Sequence, residues 1–175
     1  MNQDFKELLQ GFNDEHVRYL IVGGYAVIKH TEPRYTKDLD VWVGIAADNA
    51  ERVFRALQRF GAPLTGLTPQ DFSSAGFFYT MGLAPQRVDV LMSVEKLDFE
   101  QCWERRVESE VDGIKVNFLS ANDLIINKEA VGRYQDLADA EKLRVATVRI
   151  SQDKPAKKTA TEKTRRQKKN PSKKR

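Results

Sequence analysis

The sequence predicts an α/β (α+β) protein: a small mixed, mainly antiparallel sheet with helices packed on it, then a C-terminal pair of helices. Three observations predict it. Apolar residues at helical spacing recur in several segments, short β-branched or aromatic runs fall between them, and Asp112-Gly113 separates two such runs as a two-residue hairpin turn. With 175 residues the default is one folded domain. We place it at 1–150, with residues 151–175 as a separate tail.

Taken in order, Phe5, Leu8, Leu9 and Phe12 predict an amphipathic helix over 3–14. A first strand over 17–22 ends at Gly23-Gly24, and Tyr25 to Ile28 suit a short buried helix that stops near Pro33. A second strand spans 38–44. Val53, Phe54, Leu57 and Phe60 line one face of a helix over 47–60 that ends at Gly61. The Gly-, Pro-, Thr- and Ser-rich stretch 61–76 reads as a loop, one that could cover a substrate site. Strands over 76–81 and 86–92 flank the turn Gly82 to Pro85, and Phe77, Phe78 and Tyr79 in the first of them read as core. A helix over 97–106 contains the single cysteine, Cys102, read as a packing residue. The hairpin strands are 107–111 and 114–119. Ser120 then has the position of an N-cap with Asp123 three residues on, opening a helix over 121–131, and a second helix runs from about Tyr134 to Ala146.

The net charge of +4 conceals a split. Residues 151–175 carry 11 basic side chains against two acidic ones, whereas 1–150 carry 18 against 23. The tail has almost nothing apolar and is expected to be disordered, free either to bind RNA through its phosphates or to act only as a solvated face. No run of 18 apolar residues marks a membrane span, no basic-then-apolar N-terminus marks a secretory signal, and one cysteine permits a reducing compartment; the expectation is a cytoplasmic protein. His16 and His30 belong to no metal motif, and no Ser-His-Asp, Cys-x-x-Cys or Walker arrangement is present.

The chemistry gathers in residues 22–43. Glycines after a strand let backbone N–H groups approach a phosphate at the start of the next helix. Asp38 and Asp40, at i and i+2 on a strand, project to one face, where their carboxylates can share hard cations. A phosphate cradle beside a two-carboxylate metal site is what phosphoryl or nucleotidyl transfer needs. Asp89, inside the apolar run Val88 to Leu91, is a third carboxylate that burial would penalise unless it is paired or bound to metal; the alternative is an outward-facing edge residue beside Arg87.

The glycine pair, a short helix and then Asp-apolar-Asp-apolar resemble the signature of the DNA polymerase β-like nucleotidyltransferase superfamily. Arg34-Tyr35-Thr36-Lys37 ahead of Asp38 is most similar to the small prokaryotic branch related to toxins of abortive-infection and toxin–antitoxin systems. The resemblance spans roughly residues 18–140 and implies a nucleotidyltransferase fold. It implies Asp38, Asp40 and Asp89 as catalytic and metal-holding residues for two Mg²⁺ ions, with transfer of NMP from an NTP to a hydroxyl acceptor such as an RNA end, a protein or a small molecule. Gly24 departs from the serine that many members carry there. In the toxin-like branch a helical lysine is followed by an arginine and an aspartate pair; by that resemblance Lys128 would contact the nucleotide phosphates, with Arg133 and Asp136 shaping the pocket. Arg34 and Thr36 would reach a phosphate or base, or else stay in surface salt bridges, and Asp139 would instead cap or pair with Lys142. An antitoxin partner is a further implication of that branch. The rival reading is a catalytically silent protein of the same fold that binds nucleotide or nucleic acid, its basic tail the main binding element.

Overall fold

The computed structural model describes residues 1–153. Asn2 opens helix α1 (Gln3–Asp14) by accepting the Phe5 backbone N–H at 2.8 Å, and Phe5, Leu8, Leu9 and Phe12 on its inner face are fully buried. Strand β1 (Tyr19–Ile21) follows, then helix α2 (Gly23–His30), strand β2 (Asp38–Val43) and helix α3 (Ala47–Phe60). Strands β3 (Phe78–Met81) and β4 (Arg87–Leu91) precede helix α4 (Phe99–Glu104), the hairpin β5 (Val107–Val111) and β6 (Ile114–Phe118), and helices α5 (Ala121–Val131) and α6 (Tyr134–Asp153). The predicted elements are all present.

The six strands form one sheet in the order β3-β4-β2-β1-β6-β5. Pairs β3/β4, β1/β2 and β5/β6 are antiparallel, whereas β2/β4 and β1/β6 are parallel. Alternation along β2, β3 and β4 assigns the two faces. Leu39, Val41, Val43, Tyr79, Met81, Val88 and Val90 are buried on one face, with α1 and α3 on that side of the core. Asp38, Asp40, Thr80, Arg87 and Asp89 lie on the other, and α2 is packed against α5 and α6.

Four expectations change. Residues 61–76 contain a 3-10 turn, Pro69–Ser73, that packs on α3; Phe72 is fully buried against Phe54, Phe77 and Tyr79. Tyr79 belongs to the face opposite Asp89, so this segment buttresses the core and does not cover the carboxylates. Phe78, read as core, is 65% exposed, because the strand alternation puts it on the face of Thr80. Helix α6 continues past Ala146 to Asp153, beyond the boundary drawn at 150, while the rest of the tail, 154–175, lies outside the described residues. Asp139 pairs with neither a cap nor Lys142; its partners are described below. Cys102 is buried, and His30 Nε2 sits 2.8 Å from the Leu119 carbonyl oxygen, both packing roles as expected. Among the described residues no helix is long and apolar enough to cross a membrane.

Candidate active site

Neighbouring parallel strands set the carboxylates side by side. In the β2/β4 register Asp38 faces Arg87 and Asp40 faces Asp89, so four charged side chains share one patch of the open face. Desolvation first, and then repulsion from Asp89 and Asp38, push the Asp40 carboxyl up to about 6, while Lys128 and the Gly24 N–H that donates to it act in the opposite sense. Three like charges on one patch call for a cation.

Arg87 supplies one in this structure. Its Nη2 lies 2.7 Å from Asp38 Oδ2 and 2.9 Å from Asp89 Oδ2. Thr80 Oγ1, across the β3/β4 pair, donates to Asp89 Oδ1 at 2.8 Å and holds that carboxylate from the other side. Asp38 Oδ1 is buried with no hydrogen-bond partner. An all-oxygen donor set with an orphaned buried oxygen suits a hard divalent cation such as Mg²⁺. Among the described residues, though, no three His, Cys, Asp or Glu side chains stand close enough together to hold one ion. The donors are of the right kind, and their present arrangement is set by Arg87 and by the Gly24 N–H.

The glycine pair is dictated by close approach. Gly23 has φ +58° at the start of α2, and a Cβ there would lie 1.9 Å from Asp40 Oδ2. At Gly24 a Cβ would lie 2.3 Å from Thr36 Oγ1 and 3.7 Å from Arg34 Nη2. The space beside Gly24 is thus filled by a hydroxyl from the segment leading into β2.

The C-terminal helices close the other side. Lys128, in the last turn of α5, is buried and donates from Nζ to Asp136 Oδ1 at 2.6 Å; Asp139 Oδ2 lies 3.8 Å away. The chain reverses at Gly132, so the first turns of α6 face the last turn of α5. Asp139, fully buried, takes Arg34 Nη2 at 2.8 Å and Gln135 Nε2 at 2.9 Å. Arg133 remains at the rim, its side chain 80% exposed and its Nε 3.1 Å from Asp136 Oδ2.

The structure therefore brings Gly23, Gly24, Arg34, Thr36, Asp38, Asp40, Asp89, Lys128 and Asp136 into one region, with Arg133 at its edge. Three members escaped the sequence reading. Arg87 was visible by the same i, i+2 logic that paired Asp38 with Asp40, since it stands two residues before Asp89. Helical spacing offers Asp139 a local partner in Lys142, whereas its real partner, Arg34, is 105 residues away. Thr80 carries no signal without the β3/β4 register.

A family model described as a nucleotidyltransferase of unknown function (DUF6036) matches residues 1–173. The chain belongs to that family. As a DUF6036 nucleotidyltransferase it is a transferase enzyme, and several solved structures resemble it. The lincosamide antibiotic adenylyltransferase LnuA, in its lincomycin-bound form, has a TM-score of 0.50 at 13% identity, over 83% of this chain and 98% of that one; the likeness shows a common fold. A putative nucleotidyltransferase from Thermotoga maritima aligns with TM-score 0.49 at 15% identity, over 85% of this chain and 91% of that one. ANT(2")-Ia, solved in complex with adenylyl-2"-tobramycin, aligns with TM-score 0.48 at 14% identity, over 85% of this chain and 95% of that one. No curated protein matches the chain.

Proposed function

We propose that this nucleotidyltransferase moves NMP from an NTP to a hydroxyl acceptor in a Mg²⁺-dependent reaction, with Asp38, Asp40 and Asp89 as its catalytic carboxylates. The observation that carries the reading is the β2/β4 register, which sets Asp40 opposite Asp89 on one half-buried patch within the charge field of Lys128. Bound Mg²⁺ would neutralise triphosphate charge and stabilise the leaving pyrophosphate. Asp38, Asp40 and Asp89 would hold it. Asp89, steadied by Thr80, would also help activate the acceptor hydroxyl by taking its proton.

The remaining residues bind and orient the nucleotide. Gly23 offers a backbone N–H at the start of α2. Gly24 holds Asp40 through its own N–H and, lacking a side chain, leaves room for the Thr36 hydroxyl, which adds a donor beside them. Lys128 and Arg34 present cations held by buried aspartates, and Arg133 reaches from the rim to Asp136. The acceptor class is the open variable: an RNA end, a protein side chain or a small molecule. A toxin role would follow if that acceptor were an essential RNA.

The decisive experiment incubates the full chain with each α-³²P-NTP and Mg²⁺, separately with total RNA, cell lysate, an aminoglycoside and a lincosamide, beside Asp40→Ala. Label transferred to one species and lost in the variant is the expected result. Absence of both label transfer and Mg²⁺–NTP binding would overturn the reading in favour of a silent fold.

A further inference from the structure

The site holds a contradiction that points to a role for Arg87. The three aspartates are suitable donors, yet as they stand no three acidic or other ligating side chains among the described residues can grip one ion. The Arg87 guanidinium stands between two of them, with Asp38 at 2.7 Å and Asp89 at 2.9 Å from the same nitrogen. We propose that Arg87 is a displaceable counter-cation, occupying the place between Asp38 and Asp89 that a divalent ion takes, so that the two compete and Arg87 lowers the metal affinity of the site. This rests on the metal reading given above.

Several features distinguish Arg87 from a structural salt bridge. Its side chain is 42% exposed, whereas Arg34 is 26% exposed and is anchored on the fully buried Asp139. Its Nε is buried without a hydrogen-bond partner, so the two carboxylates are what hold the guanidinium in place. Both contacts converge on one nitrogen instead of forming the two-pronged fork that makes Arg–carboxylate pairs strong. A pair this open is weak, and the flexible stem can carry the guanidinium into solvent.

The carboxylates are also prepared for the exchange. Asp89 gives only Oδ2 to Arg87, and Oδ1 is held by Thr80, so the carboxylate keeps its orientation when the guanidinium leaves. Asp38 presents Oδ1 with no partner at all. Departure of Arg87 would expose an oxygen on each strand at once. In the metal-free protein the same guanidinium screens Asp38 from Asp89 and keeps the patch from carrying three uncompensated charges.

The test is Mn²⁺ binding without nucleotide, followed by titration calorimetry on the full chain, its Arg87→Met and Arg87→Lys variants, and Asp40→Asn. Arg87→Met should bind Mn²⁺ about three- to tenfold more tightly than the wild type, with Arg87→Lys between them and Asp40→Asn weakest. The melting temperature of Arg87→Met in EDTA should fall, and its rise on adding Mn²⁺ should exceed that of the wild type. Equal or weaker Mn²⁺ binding by a folded Arg87→Met overturns the inference while leaving the metal reading in place. If Arg87→Met does not fold, Arg87→Lys decides by the same criterion. No Mn²⁺ binding to any of the four proteins overturns the metal reading and the inference together.

Discussion

Arg34 and Asp139 are 105 residues apart in sequence and 2.8 Å apart in space, and their ion pair ties the segment before β2 to helix α6. Asp139 is fully buried and also lies 3.8 Å from Lys128 Nζ. One carboxylate oxygen thus draws two cations, from the segment before β2 and from α5, to the same spot. Its removal leaves Arg34 without its buried partner, whereas Lys128 keeps Asp136, and breaking a buried pair from one side costs about 3–5 kcal/mol. Asp139→Ala should lose that much in urea unfolding. Asp139→Ala combined with Arg34→Ala should lose less than the sum of the single variants, which a double-mutant cycle measures. Strict additivity would show that the pair contributes nothing.

Asp40 has the opposite sign. Its carboxyl is raised to about 6 in the folded protein, from 3.8 for a free aspartate, so the folded state holds the proton more tightly than the unfolded chain. The resulting penalty is absent below pH 3.8, grows as pH rises through the window to about 6, and is constant above it. Asp40→Asn should therefore be more stable than wild type at pH 7 without metal, by about 2–3 kcal/mol. The gap should close as pH falls from 6 toward 4, and saturating Mg²⁺ should narrow it at pH 7. Thermal melts across that pH range, with EDTA and with Mg²⁺, check both parts. A gap independent of pH would mean that the Asp40→Asn variant gains its stability from packing.

Much of the fold was legible because the pattern is local. Alternation along β2 and β4, the Asp112-Gly113 turn and the helical period of α1 and α3 all follow from neighbours within a few residues. Asp38 and Asp40 were legible for the same reason. What escaped depends on strand order. Nothing in residues 76–92 says that β4 inserts beside β2 in parallel, yet that pairing alone sets Arg87 against Asp38 and Asp89 beside Asp40. Asp139 was read against Lys142 because helical spacing offers a nearby cation, whereas the packing of α6 on α2 and α5 turns it toward Arg34. Residues 61–76 looked like an active-site cover from their composition, but a buried Phe72 pins them to α3.

Gly24 makes a steric prediction. An added Cβ would sit 2.3 Å from Thr36 Oγ1 and 3.0 Å from its Cβ, so Gly24→Ala must displace Thr36. The cost should be about 1–3 kcal/mol, accompanied by weaker nucleotide binding as the hydroxyl moves. Adding Thr36→Ala removes the closer contact and should restore most of the stability without restoring nucleotide affinity. Calorimetric NTP titration beside urea unfolding separates the two effects. If the double variant binds nucleotide like the wild type, the Thr36 hydroxyl has no part in the site.

Lys128 combines a structural and a functional load, and the two can be separated. Buried at the end of α5, it neutralises Asp136 at 2.6 Å and contributes the positive field felt by Asp40. Lys128→Met strips Asp136 of its main counter-charge, leaving it only the exposed Arg133, and should cost about 3 kcal/mol of stability. Adding Asp136→Asn removes the stranded charge and should return most of that loss. Nucleotidyl transfer should not return with it: if Lys128 meets the triphosphate, kcat/KM should remain down by at least about 100-fold in both variants, close to 3 kcal/mol of transition-state stabilisation. Unfolding curves and initial rates on the same two proteins make the comparison. Recovery of rate together with stability would assign Lys128 to the scaffold and leave phosphate binding to Arg34 and the start of α2.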